Sequence, residues 1–188
     1  MTVWGVSAMS HDAALAVYDY KSNSIVYASH GERYSRVKND RDLHPAQIAE
    51  ALEFGKPDHV FFYEDTRLKK QRQFQAGQYK LLLKQSPKQY LKKLGIDVDV
   101  TMVEHHYSHA AYGYCSDPLE RPDQDILVID SIGEFETVSV WHGRNRKLDK
   151  VWSQSYPNSV GLWYSAMTQR LGLKPQEHEY ILMGMAAL

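Results

Sequence analysis

The residues best suited to chemistry in this chain are histidines. "VEHHYSHAAYGY", Val103 to Tyr114, holds His105, His106 and His109 out of a total of nine. His105 and His109 are four apart, which on a helix puts both imidazoles on one face, one turn apart. Neutral imidazole is a good ligand for borderline divalent metals, and an i, i+4 pair supplies two ligands from one helix. Two histidines alone fix no site, and they could equally be polar residues at a helix start. Asp130 offers a third donor at the end of the apolar run "ILVI". The carboxyl end of a strand is where an α/β sheet opens its ligand crevice. The histidines themselves follow another strand-like run, "VDVTMV". Two imidazoles and one carboxylate with open positions suit Fe(II), Mn(II) or Zn(II); a lone Asp there could instead cap a turn.

Other groups can handle protons or anions. His11 and Asp12 fall in a turn, where the histidine could act as a general base or simply be solvated. "GERYSRVKND" carries Arg33, Arg36 and Lys38, a trio able to hold an anionic group. "DSIGE" includes Gly133, which permits a tight loop near an anion. The glycine patterns of phosphate loops and dinucleotide loops are both absent. From Arg67 to Lys93 the chain places nine of its 22 basic residues and no acid, with Tyr79 and Tyr90 interleaved. Such a segment could touch nucleic acid. A solvated helical face, or a surface meeting an acidic part of the same or another subunit, is the commoner outcome.

The elements that must position these groups read as mixed α/β. Strand-like runs Val3 to Ser7, Ala13 to Tyr18 and Ser24 to Ser29 form an antiparallel meander. "HPAQIAEALEFGKP" reads as a helix opened by Pro45, with Ile48, Ala51 and Leu52 as its stripe and Gly55 as its stop. "HVFFY" is a buried-type strand, and two helices broken at Pro87 follow it. "ILVIDSIGEFETVSVW" repeats the layout of "VWGVSAMSHDAALAVY": strand, polar turn with an Asp, strand. Two such hairpins opening successive units suggest a duplicated fold, with loop amides available for phosphate oxygens. "SVGLWYSAMTQRLG" reads as a helix capped by Ser159, with Leu162, Ala166 and Leu171 on its apolar face and Gly172 at its end. "EYILMGMAAL" reads as a last apolar helix with no closing strand.

Composition bounds the rest. At 188 residues, 43% hydrophobic, 24% charged and net charge −1, the chain is ordinary globular material with a sizeable core. The charge balance argues against nucleic acid binding by the whole chain. One cysteine, Cys115, excludes an internal disulfide, suits a reducing, cytoplasmic compartment and reads as a small buried hydrophobe. No apolar run approaches the ~18 to 20 residues needed to span a bilayer, and "MTVWGVSAMSHD" lacks the features of a signal peptide.

Six stretches occurring in this order resemble the O-carbamoyltransferase family, which includes nodulation protein U and the tobramycin and cephamycin carbamoyltransferases. They are "GVSAMSHDAALAV", "ERYSRVKND", "HHYSHAA", "DSIGEFET", "YPNSVGLWYSAMT" and "EYILMGMA". The resemblance covers nearly the whole chain, failing mainly in the basic segment. It implies an actin-like ATPase (ribonuclease H-like) fold, with residues 1–125 as a complete first subdomain and 126–188 as the start of a truncated second. It implies His105, His109 and Asp130 as metal ligands, a fourth carboxylate beyond residue 188, and Fe(II) ahead of Mn(II) or Zn(II). It places Ser131, Gly133 and Glu134 on the phosphate side and His11 and Lys38 at the reacting centre, with His11 as base. The implied reaction transfers a carbamoyl group to the hydroxyl of a small-molecule acceptor. The donor is carbamoyl adenylate, made from carbamoyl phosphate and ATP by a YrdC-like domain in a downstream chain or missing C-terminal half. The alternatives are a threonylcarbamoyl-transfer protein of the related tRNA family and an inactive fragment that binds nucleotide or a partner. The chain departs from the family at Ile181 (usually Lys), at Ala187-Leu188 (usually Pro-Tyr) and at Gly31 (usually Glu). It is expected to be incomplete as an enzyme, as a truncated, split or degenerate product would be.

Overall fold

The structure, a computed structural model, describes residues 1–187; the departure at Leu188 lies outside the described residues. The chain divides into two compact units, Met1–Glu104 and His105–Leu188.

In the first unit, β1 (Thr2–Ser7), β2 (Ala14–Asp19) and β3 (Ser24–His30) form the expected meander. β4 (His59–Phe62) joins β1 in parallel and β5 (Val100–Met102) joins β4, in the order β3-β2-β1-β4-β5. Period-two alternation drives one face into the core: Trp4 and Val6, Leu15 and Val17, Val60 and Phe62 are all buried. β4 alternates as well, so Phe61 is exposed, where a strand buried on both faces was expected. A short helix, α1 (Glu32–Ser35), follows β3. α2 (Pro45–Glu53) lays Ile48 and Ala51 on the core, opened by a capping box between His44 and Gln47.

The basic segment holds α3 (Thr66–Gln75), a 3-10 turn (Tyr79–Leu83) and α4 (Pro87–Lys93). Pro87 opens α4 behind the Ser86 cap, because its missing N–H costs nothing in a first turn. Several of the basic side chains meet acids of the same unit: Lys69 lies 2.7 Å from the buried Glu64 carboxylate, Lys88 3.0 Å from Asp99 and Lys92 2.8 Å from Asp97.

The second unit is an antiparallel sheet, β6 (Asp123–Ile129), β7 (Glu136–Arg144) and β8 (Lys147–Ser155), in that order. α5 (His105–Cys115) packs on it through Ala110, which shares a small core with Val128 and Trp141. That packing groups α5 with the second sheet, so the compact units part at Glu104/His105. α6 (Val160–Arg170) and α7 (Glu179–Met185) complete the unit.

Two expectations need correction here. Cys115 is exposed, because it ends α5 beyond the turn that meets the sheet. In α6 the buried residues are Ser165 and Thr168, while Ala166 and Leu171 are exposed. Thr168 Oγ1 bonds the Tyr164 carbonyl and Ser165 Oγ bonds Glu179, so hydroxyls rather than methyls face inward. Among the described residues no helix is long and apolar enough to cross a membrane.

Candidate metal centre

α5 begins at His105, and its first amide is capped from far along the chain. Both carboxylate oxygens of Glu134 accept from the His105 N–H, at 3.0 and 3.1 Å. An acid at a helix start also meets the positive end of the helix dipole. One turn on, His109 Nε2 lies 3.0 Å from His105 Nε2. His105 Nε2 in turn lies 3.0 Å from Asp130 Oδ2. The three donor atoms fall within 4.8 Å of one another. Adjacent ligands on a six-coordinate ion with bonds of about 2.1 Å are about 3 Å apart, which the His105–His109 and His105–Asp130 spacings match.

The electrostatics suit the same purpose. Burial alone would raise the Asp130 carboxyl, but the His105 hydrogen bond and charge, the Ser131 amide and the His109 charge hold it down at about 2. Burial pushes His109 below its ordinary value, and His105 adds to that. The carboxylate is therefore ionised and His109 neutral near pH 7, the forms that ligate.

His106, between the two, does something else. It is 1% exposed, and its Nδ1 lies 2.7 Å from Ser139 Oγ, which also accepts from Trp141 Nε1 at 2.7 Å. It ties α5 to β7. The three-histidine cluster is thus two candidate ligands on one face and one core residue on the other.

The loop after Asp130 is a positioning device. Ser131 donates its amide to Asp130 Oδ1 at 2.7 Å, and Gly133 donates its amide to the Glu136 carbonyl at 2.8 Å. The Ser131 and Gly133 amides, expected on the phosphate side, are thus both engaged inside the loop. A Cβ at Gly133 would lie 3.0 Å from His106 Cδ2 and 3.2 Å from His105 Cβ, so glycine lets the loop press against the start of α5. From the other side, Ser159 Oγ donates to the Ser131 carbonyl at 2.6 Å while accepting from Leu162 N at 3.0 Å. A Cβ on Gly161 would fall 2.7 Å from Ser131 N and Cα. The sequence marks Ser159 as a cap; its grip on Asp130–Ser131, and the cap that Glu134 places on α5, have no local signal.

In the first unit, His11 is exposed and its Nδ1 lies 2.8 Å from Asp12 Oδ2. Lys38, Arg33 and Arg36 are exposed as well, close to Gly31. A Cβ at Gly31 would meet the Asp42 carbonyl at 3.0 Å and the Ala13 carbonyl at 3.2 Å, which accounts for glycine here.

Residues 63–188 match the family described as "Carbamoyltransferase N-terminus". The chain belongs to this family. The uncharacterized protein sll1178 of Synechocystis sp. (strain ATCC 27184 / PCC 6803 / Kazusa) is 34% identical to this chain, over 98% of the chain and 34% of its own length. The uncharacterized protein MJ1051 of Methanocaldococcus jannaschii is 23% identical over 89% of the chain and 30% of its own length. The chain thus spans about a third of the length of the curated relatives it matches. Among solved structures it is similar to the Aquifex aeolicus PPX-GPPA enzyme, with 16% identity and TM-score 0.42 over 96% of the chain and 59% of that enzyme. It is also similar to a Bacteroides thetaiotaomicron protein with actin-like ATPase fold and unknown function, with 8% identity and TM-score 0.33 over 92% of the chain and 78% of that protein.

Proposed function

We propose that this chain supplies the metal- and nucleotide-binding part of an O-carbamoyltransferase, as the first subdomain of an actin-like lobe and the start of its second. The reaction passes a carbamoyl group from carbamoyl adenylate, made from carbamoyl phosphate and ATP, to the hydroxyl of a small-molecule acceptor. The observation that carries the reading is the convergence of His105, His109 and Asp130 at 3.0 Å spacings within a chain of this family.

His105 and His109 would hold the cation through Nε2 and Asp130 through Oδ2, with Fe(II) ahead of Mn(II) or Zn(II). When bound, a divalent cation polarises the mixed-anhydride carbonyl and neutralises charge on the departing phosphate. Ser131, Gly133 and Glu134 form the wall on the phosphate side and keep Asp130 and α5 in register. His11 takes the proton of the acceptor hydroxyl, with Asp12 on Nδ1 orienting the ring so that Nε2 faces the acceptor. The acceptor oxygen bonds to the carbamoyl carbon, the bond from that carbon to the phosphate oxygen breaks, and AMP leaves. Lys38 serves as a cation for the leaving group.

The test measures metal content and transfer rate on the same variants of the assembled enzyme. His105→Ala loses both. His11→Asn keeps the metal and loses about 10²- to 10⁴-fold in rate. Full metal content in His105→Ala would remove the metal centre, and parental rate in His11→Asn would remove the base.

A further inference from the structure

We infer that the first unit carries a second divalent-cation site, formed by Asp12, His30 and Glu32. One carboxylate oxygen from each acid and one imidazole nitrogen of His30 all lie within 4.8 Å of one another. None of these residues belongs to the set formed by α5 and the loop after β6, and the inference goes beyond the carbamoyl-transfer reading.

The fold brings the three together from separate stretches of chain. Asp12 occupies the turn between β1 and β2, in the left-handed region at φ 49°. His30 ends β3, paired in the ladder with Ala14 at the start of β2. Glu32 begins α1, one residue past Gly31, whose amide donates to the Ala13 carbonyl at 2.6 Å. The β2–β3 ladder and that hydrogen bond hold the backbone on both sides of the cluster. The cluster therefore rests on a sheet end rather than on a free loop.

The second observation is an unmet polar atom. His30 Nδ1 is buried and has no hydrogen-bond partner among the described residues. A buried imidazole nitrogen without a partner is costly, and native structures nearly always satisfy one. The same ring brings a nitrogen to within 4.8 Å of both carboxylate oxygens, and a cation there would engage all three side chains. All three residues are partly buried rather than fully solvated.

The carboxylates keep ligand capacity. Asp12 Oδ2 contacts His11 Nδ1 at 2.8 Å, and Glu32 Oε2 accepts weakly from Asn39 N at 3.4 Å. Each carboxylate retains its other oxygen, with two lone pairs. Two carboxylates balance a 2+ charge, and an oxygen-rich set with one imidazole suits Mn(II), with Zn(II) as its competitor. Occupancy would be felt at His11, because Asp12 contacts both.

Mn(II) titration of the chelator-stripped chain, followed by loss of the free Mn(II) electron paramagnetic resonance signal, tests this. The parent is expected to bind two equivalents and His109→Ala one. His109→Ala combined with Glu32→Gln is expected to bind none, with circular dichroism showing a retained fold. Because His30→Gln could disturb β3, Glu32→Gln at the start of α1 serves as the primary variant. Selective broadening of the His30 ring signals by Mn(II) in the parent is an independent readout. One equivalent lost in Glu32→Gln but kept in His109→Ala would support this site while removing the one on α5. Equal uptake by parent and Glu32→Gln, or no broadening at His30, would overturn the proposal.

Discussion

Glu134 shows how one side chain can act at a distance in sequence. Its carboxylate is 6% exposed and serves as the cap of α5, whose first residue is a candidate ligand. Glu134→Ala is expected to cost about 0.5–2 kcal/mol of stability, read from the denaturant midpoint. It should also weaken metal affinity by about 10- to 100-fold, because an outer partner no longer orients His105. Unchanged affinity would mean that α5 holds its start without the cap. His142 carries a separate pH signature. Its Nδ1 lies 2.9 Å from Asp125 Oδ1 and its Nε2 3.4 Å from Asp123 Oδ1, and the Asp125 hydrogen bond raises its pKa above the ordinary histidine value. A raised histidine contributes stability that is complete below the unfolded value and fades as pH rises through the folded one. Stability should therefore fall as pH rises above the ordinary histidine range, and His142→Gln should flatten that slope. A proton NMR titration placing the His142 midpoint at or below that of an unperturbed histidine would contradict this.

At the scale of elements, the geometry of the centre depends on α6 reaching the Asp130 loop. Gly161→Ala would push a methyl to 2.7 Å from Ser131 N and 2.9 Å from the Asp130 carbonyl carbon. Both are backbone, so relief must come from moving the loop or the helix, at about 1–3 kcal/mol. A lower melting temperature together with reduced metal content is expected. Gly172→Ala is the contrast. It lies past the end of α6 at φ 77° with open space around it, so it should cost about 1–2 kcal/mol without touching metal content. Equal metal loss in both would show that general instability, and not the loop, is responsible. The elements themselves were unequally legible. β1, β2 and α2 announce themselves because burial imposes their period on the residues. β8 does not: "KLDKVWSQS" is exposed along most of its length, so nothing selects an alternating pattern. Its strand character comes from pairing with β7.

At the scale of the molecule, the chain spans about a third of the length of its curated relatives. Leu127, Ile129 and Trp152 are exposed on the second sheet. The chain alone is expected to give no carbamoyl transfer from carbamoyl phosphate and ATP, and adding a polypeptide equivalent to the rest of its relatives' length should give it. Turnover by the 188-residue chain on its own would overturn that. The mixed α/β class, the paired hairpins and the His105/His109 spacing were legible in the sequence alone, because each is set within a few residues by backbone periodicity or helical geometry. Tertiary structure decided which of three histidines is core, that Glu134 caps α5, that Gly161 abuts Ser131, that Cys115 is exposed, and that Asp12, His30 and Glu32 meet. Each of those facts joins groups separated along the chain or depends on which face of an element finds a neighbour. Such contacts follow from loop closure and packing, and local sequence carries no period or spacing that encodes them.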